Sequence, residues 1–226
     1  MNDLVDTTEM YLRTIVNLEE EGISPIIKAR ISERIGHTAP TVFQTIARMQ
    51  RDGLLVVSSN KSLILTSKGR KIALSVVRKH RLAEVLLHDV VGLEWEHIHL
   101  EACRLEHVMS DHLEEHLRRI LNNPSFTTYG TPIPPADSDF VEPFRDVISL
   151  SRAVIRQKAR KLSVRCLGEI AQQDTILLSQ LSKAGLRPGG LGSFMDSQNG
   201  ILSWTNSGNK FIISHYIAEC IFVNQN

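Results

Sequence analysis

The chain is predicted to be mainly α with small β parts, opening with a winged helix-turn-helix and closing with a small β-barrel. Three patterns carry that prediction. Residues 25–53 read as helix, glycine turn, helix, and the second of these puts Val42, Ile46 and Met49 on one side and Thr41, Gln44, Arg48 and Arg51 on the other. The apolar runs LLVVSS and SLILT then flank Asn60-Lys61, the pattern of a hairpin wing. From residue 148 onward, short alternating runs are separated by Asn-Gly and Ser-Gly turns, as in a barrel of short strands.

In order, residues 3–21 carry Leu4, Met10, Ile15 and Leu18 at helical intervals and stop at Gly22. Met10 by itself reads as core filler. Ser24 and Pro25 have the residue types of an N-cap and first helical position, and Pro40 opens the third helix. Thr66 or Ser67 caps a long helix reaching Gly92, a further helix runs from Glu94 to about Met109, and Ser110-Asp111 caps another through Leu121. The apolar faces of these helices exceed what one small domain covers, which predicts a dimer interface. Residues 122–147 hold five of the eight prolines and read as an extended connector.

Net charge is only +1, yet residues 25–73 carry nine basic and two acidic side chains, a field suited to a polyanion. In that field Gln44 has the amide that reads adenine, while Arg48, Arg51 and Lys61 have the charge that neutralises phosphates. Double-stranded DNA is therefore the expected partner. Three cysteines, no leader-like start and no apolar run near the roughly 20 residues of a membrane span predict a cytoplasmic chain with no membrane partner.

Residues 78–107 place His80, Glu84, His99, Cys103, Glu106 and His107 on two helical segments separated by Gly92. Helical neighbours three and four apart share a face, so His80 pairs with Glu84, and Cys103 groups with Glu106 and His107. Two metal sites are expected, one on His80, Glu84 and His99 and one on the later cluster. Thiolate with imidazole and carboxylate selects Fe²⁺, Co²⁺ or Ni²⁺ over Mn²⁺ and Mg²⁺. His37, His88, His97, His112, His116 and His215 are read as ordinary surface histidines, and Cys166 and Cys220 as buried structural thiols. A hydrolytic metalloenzyme would need a nucleophile, an oxyanion hole and an open coordination position, and no such pattern occurs, so the chain is not read as an enzyme. A redox switch on Cys103 lacks a nearby resolving cysteine.

The stretches DLVDTTEMYLRTI, APTVFQTIARMQRDGL, RKHRLAEVLL and EACRLEHVMSD closely resemble the diphtheria-toxin-repressor family of iron-dependent transcriptional repressors. The likeness is dense over about the first 120 residues. It implies a winged helix-turn-helix domain at 1–73, a helical dimerisation and metal-binding domain at 74–121, a Pro-rich linker at 122–147 and an SH3-like barrel at 148–226. It also implies an activating site of Met10, Cys103, Glu106 and His107, and an ancillary site of His80, Glu84 and His99. That ancillary site is completed in the family by Glu and Gln, where this chain has Asp174 and Leu177. Thr38, Pro40, Thr41 and Gln44 match the recognition segment, whereas Phe43 replaces a usual Ser. The function implied is an Fe²⁺-activated repressor with two metal sites per chain. It would bind operator DNA as a homodimer and control iron-homeostasis genes, and Mn²⁺, Co²⁺, Ni²⁺ or Zn²⁺ could substitute. The alternative is a manganese-responsive regulator of the same family.

Overall fold

The computed structural model describes residues 3–138, 140, 144, 146–156, 161–197, 201–206 and 208–224. The expected Asn199-Gly200 turn and Ser207 of the Ser-Gly turn lie outside the described residues. The chain forms two compact units, one of Met1–Ala83, Cys103–Ile120 and Ile133–Phe144, the other of Glu84–Ala102, Leu121–Pro132 and Arg145–Asn226.

The first unit is organised around α1 (Asp3–Glu20). Its Tyr11, Leu12, Ile15, Val16 and Leu18 are buried in one core with Ile31, Val42, Ile46, Met49, Leu55, Leu63, Leu74 and Val77. Gly22 ends the helix at φ 71° while Ile23 N–H closes on Leu18 O. The next helix, α2 (Lys28–Ile35), begins three residues later than the Ser-Pro pair predicts. Ile26 is buried with its carbonyl accepting from Leu63 N–H at 2.8 Å, so this stretch stays extended against the wing; the Ser24–Pro25 bond is cis. Gly36 turns the chain into α3 (Ala39–Arg51), with Pro40 in its first turn.

The wing is β1 (Leu55–Val57) paired antiparallel with β2 (Leu63–Leu65). Its base meets the start of α4 (Ser67–Val85) at Gly69, where any Cβ would fall 1.9 Å from Leu54 O. Three successive carboxylates at the end of α1 each hold a different arginine: Glu19 takes Arg70, Glu20 takes Arg81 and Glu21 takes Arg34. Two of the nine cations that make residues 25–73 basic are thus already neutralised, and the field offered to a polyanion is weaker than the count implies. The helix α6 (Asp111–Ile120) completes the unit and leaves Leu113 and Ile120 exposed at i and i+7.

In the second unit the end of α4 widens into one π-helical turn, Leu86–Val91, capped by Gly92 at φ 74°. A 3₁₀ turn, Trp95–His97, leads into α5 (Ile98–Leu105), so the predicted helix to Met109 stops about four residues early. Six antiparallel strands, β3 (Val147–Ser149), β4 (Lys161–Leu167), β5 (Leu191–Ser197), β6 (Ile201–Asn206), β7 (Asn209–Ser214) and β8 (Ile221–Asn224), form a sheet of order 3-8-4-5-6-7. It stands where the SH3-like fold is expected. Cys166 and Cys220 are buried in it, as expected.

Part of the Pro-rich stretch is packed rather than merely spanning. Tyr129 is fully buried, meets the Trp95 ring in a tilted contact at 5.1 Å and donates to Trp95 O at 2.7 Å, while Tyr129 O accepts from Leu167 N–H. Tyr129→Phe would leave the Trp95 carbonyl without that donor, so a loss of about 1–3 kcal/mol is expected in urea unfolding.

Candidate metal centre and DNA-reading surface

Four elements of the first unit converge on one buried cluster. His80 comes from α4, Cys103 from α5, Glu106 and His107 from the turn that follows it, and Glu9 and Arg13 from α1. Glu106 Oε2 accepts from Arg13 Nη1 at 2.7 Å and lies 2.6 Å from His80 Nδ1. A carboxylate only accepts and a guanidinium only donates, and both meet His80 Nδ1, with Arg13 Nη1 also at 2.7 Å, so either tautomer of His80 finds one suitable partner there. Both Arg13 Nη nitrogens also approach Cys103 Sγ, at 3.5 and 3.6 Å. His80, which the sequence groups with Glu84 and His99, packs its ring against Glu106, and its nearest ligand atom is within 4.8 Å of Cys103 Sγ.

His107 is oriented by Glu9, whose Oε2 lies 2.6 Å from Nδ1. Its Nε2 is 3.2 Å from Glu106 Oε1. With Nδ1–H donating to Glu9, Nε2 and Oε1 are both lone-pair atoms. Their spacing matches the roughly 3.0–3.4 Å between two ligands that share an ion at bond lengths of about 2.0–2.2 Å. Thiol, carboxylate and imidazole therefore converge with the chemistry and spacing of a transition-ion site, and a guanidinium is drawn into it, so the residues fit a divalent cation. Met10 is half-buried one helical turn before Arg13 and packs against the core.

Burial pushes the Glu106 carboxyl up, but Arg13, His80 and His107 together outweigh it and hold the group below its ordinary range. A depressed carboxyl stabilises the fold above its unfolded pKa and loses that contribution as pH falls through the lowered folded value. Glu106→Gln should therefore flatten the acid limb of stability in metal-free protein, read as urea midpoints from pH 7 down to pH 3. An unchanged acid limb would show that Glu106 is not the group responsible.

In the second unit Glu84 and His99 are both buried, with Oε1 and Nδ1 3.4 Å apart, long for a hydrogen bond and similar to a ligand-to-ligand edge. Asp174 is exposed and caps the helix Thr175–Lys183, its Oδ1 accepting from Leu177 N–H.

The DNA-reading candidates lie where the sequence puts them, with one exception. Thr38, Pro40, Thr41, Gln44 and Arg51 are exposed on or just before α3, and Lys61 is exposed on the wing at φ 66°. Arg48 is half-buried, and its Nη2 donates to Thr8 Oγ1 on α1 at 3.2 Å. Beside it, the Tyr11 hydroxyl lies 3.0 Å from His37 Nδ1 in the helix-turn-helix turn. Sequence reasoning missed Thr8, Glu9, Tyr11 and Arg13. The only available signal was Arg13, a cation set among the apolar residues YLRTIV.

Residues 3–63 match the family model described as "Iron dependent repressor, N-terminal DNA binding domain", and residues 66–135 match "Iron dependent repressor, metal binding and dimerisation domain". The Iron-dependent repressor IdeR of Mycobacterium tuberculosis is 51% identical over 192 residues, 83% of each chain. The Diphtheria toxin repressor of Corynebacterium diphtheriae is 43% identical over 231 residues, covering both chains fully. Among solved structures, ScaR with bound Zn²⁺ superposes with TM-score 0.80 at 27% identity over 97% of this chain and 99% of that one. The manganese regulator SloR superposes with TM-score 0.79 at 26% identity over 97% and 98%. Among the described residues no helix is long and apolar enough to cross a membrane. With its DNA-binding and metal-binding dimerisation domains, the chain belongs to the diphtheria-toxin-repressor family of iron-dependent transcriptional repressors.

Proposed function

We propose that this chain is a cytoplasmic, Fe²⁺-activated repressor that binds operator DNA as a homodimer and controls iron-homeostasis genes. The observation that carries this reading is the two-sidedness of α1. Glu9 and Arg13, on one face, reach His107, Cys103 and Glu106. Thr8 and Tyr11, on the opposite face, reach Arg48 and His37 of the reading segment. A small rotation or shift of α1 would therefore change both ends together, and a ligand that binds the two positions unequally would shift their populations.

Met10, Cys103, Glu106 and His107 would hold the activating ion. A second ion would be held by His80, Glu84 and His99, with Asp174 offering the carboxylate oxygen its cap leaves over. Fe²⁺ would supply a double positive charge and directional bonds to sulfur, oxygen and nitrogen. Glu9 keeps the His107 ring in place, and Glu106 keeps that of His80. Exposed Leu113 and Ile120 are the apolar stripe that a second copy would cover.

A manganese-responsive reading draws on the manganese regulator among the structural relatives. The Cys103 thiol favours iron. Mn²⁺, Co²⁺, Ni²⁺ or Zn²⁺ would still fill the same donors. Anaerobic fluorescence anisotropy tests this on a labelled duplex selected from a randomised pool, with Fe²⁺, Mn²⁺ or chelator. Tight binding with Fe²⁺ at the lowest concentration and none with chelator is expected. Equal binding under chelator would overturn the proposal, and a response to Mn²⁺ alone would replace iron with manganese.

A further inference from the structure

The outer face of α3 is chemically divided. Helical spacing puts Gln44, Arg48 and Thr41 on one flank and Phe43 with Ala47 on the other, while Val42, Thr45, Ile46 and Met49 point into the core. Phe43 is 60% exposed, so folding buries little of its ring. Single exposed apolar side chains are common on protein surfaces, but this one stands on a helix face that otherwise presents amide, hydroxyl and guanidinium groups outward. Lys28, at the start of α2, places its Nζ 4.1 Å from the centroid of the ring. The cation–π contact restrains the ring from one side and keeps an ammonium beside it.

We infer that Phe43 is a specificity-determining residue that packs against a thymine 5-methyl group in the major groove, with Lys28 meeting a neighbouring backbone phosphate. This rests on the proposal that α3 reads operator DNA and adds which chemical feature one position of it reads. The thymine methyl is the only apolar group on a major-groove base edge, and an aromatic ring is among the groups that contact it. Amide and hydroxyl groups on the other flank would read hydrogen-bonding edges, so the two flanks would report on different base pairs. The Lys28 charge would strengthen binding without discriminating among bases.

The test uses the full chain loaded with Fe²⁺ under anaerobic conditions. Duplexes are selected from a randomised double-stranded pool, and each thymine of the selected site is then replaced in turn by deoxyuridine, which removes only the methyl. One thymine per half-site is expected to weaken binding about fourfold when demethylated, from the transfer value of one buried carbon. Replacement in both half-sites should weaken it roughly fifteenfold. Phe43→Ser, a change at an exposed position that leaves the core intact, should bind with unaltered metal dependence but lose the sensitivity to deoxyuridine. Lys28→Met should keep that sensitivity and lower the salt slope by about one. If the native chain tolerates every deoxyuridine, or Phe43→Ser remains as sensitive as the native chain, the inference is overturned while metal-dependent DNA binding stands. If Phe43→Ser binds more weakly to all duplexes alike, the ring touches sugar rather than methyl and the inference also falls. Failure to enrich any duplex removes both this inference and the DNA-reading proposal.

Discussion

Cys103→Ala is expected to yield a folded chain whose DNA affinity no longer rises with Fe²⁺. Cys103 is a half-buried thiol outside the apolar core and in no disulfide, so its loss leaves helix packing intact. What disappears is the thiolate donor of the cluster, and with it much of the preference for Fe²⁺ over harder ions. Driving a two-state equilibrium from 1:99 to 99:1 requires about 5.5 kcal/mol of differential binding, so a site that loses one strong ligand falls well short. His107→Ala should do the same by a different route, because it removes an imidazole and leaves Glu9 without its partner at 2.6 Å. The check is anisotropy with increasing Fe²⁺, accompanied by circular dichroism to confirm folding. Metal-stimulated binding retained by both variants would show that activation does not pass through this cluster.

Much of the architecture was legible because local signals agree with the tertiary outcome. Gly22, Gly36, Gly53 and Gly92 each take the left-handed conformation at or just after a helix end, and all four are visible in the sequence as breaks in a helical period. The split faces of α3 fixed which side enters the core and which reads outward. The start of α2 was misplaced because Ser24 and Pro25 carry local helix-start chemistry, whereas the wing captures the carbonyl of Ile26 through Leu63. That pairing joins residues 37 positions apart, and no local pattern encodes it.

The site was legible as a set of ligand types and not as a geometry. Spacing put Cys103, Glu106 and His107 together, because all three belong to one helical turn and its end. Spacing could not show that Glu106 gives one oxygen to His107 and the other to Arg13 and His80. Nor could it show that Arg48, read as a phosphate contact from its helical face, leans toward Thr8. Spacing is equally silent on what the acidic run Glu19, Glu20 and Glu21 meets. Each of its members is an anchor, and two of them consume charge that had been assigned to DNA.

Arg13→Met is expected to destabilise the metal-free protein by about 3–5 kcal/mol and to be largely rescued by a divalent ion. Arg13 and Glu106 are both buried, with side-chain exposures of 7% and 1%. Removing the guanidinium leaves the Glu106 carboxylate in a site with little water to solvate it. The guanidinium approaches the same three groups, Cys103 Sγ, the Glu106 carboxylate and His80, so it stands where positive charge is wanted when no ion is present. A bound cation supplies that charge instead, and any ligand that binds only the folded chain adds RT ln(1 + [L]/Kd) to its stability. The metal-induced rise in melting temperature should therefore be larger for Arg13→Met than for the native chain. Arg13→Lys, which keeps the charge but not the two-pronged reach to sulfur and oxygen, should fall between the two. Melting curves of the three proteins with chelator and with Mn²⁺ decide the matter. The same deficit in both conditions would mean that Arg13 is a permanent counter-charge to Glu106, held in place whether or not the site is loaded. A deficit confined to chelator would make it the residue that an incoming ion replaces.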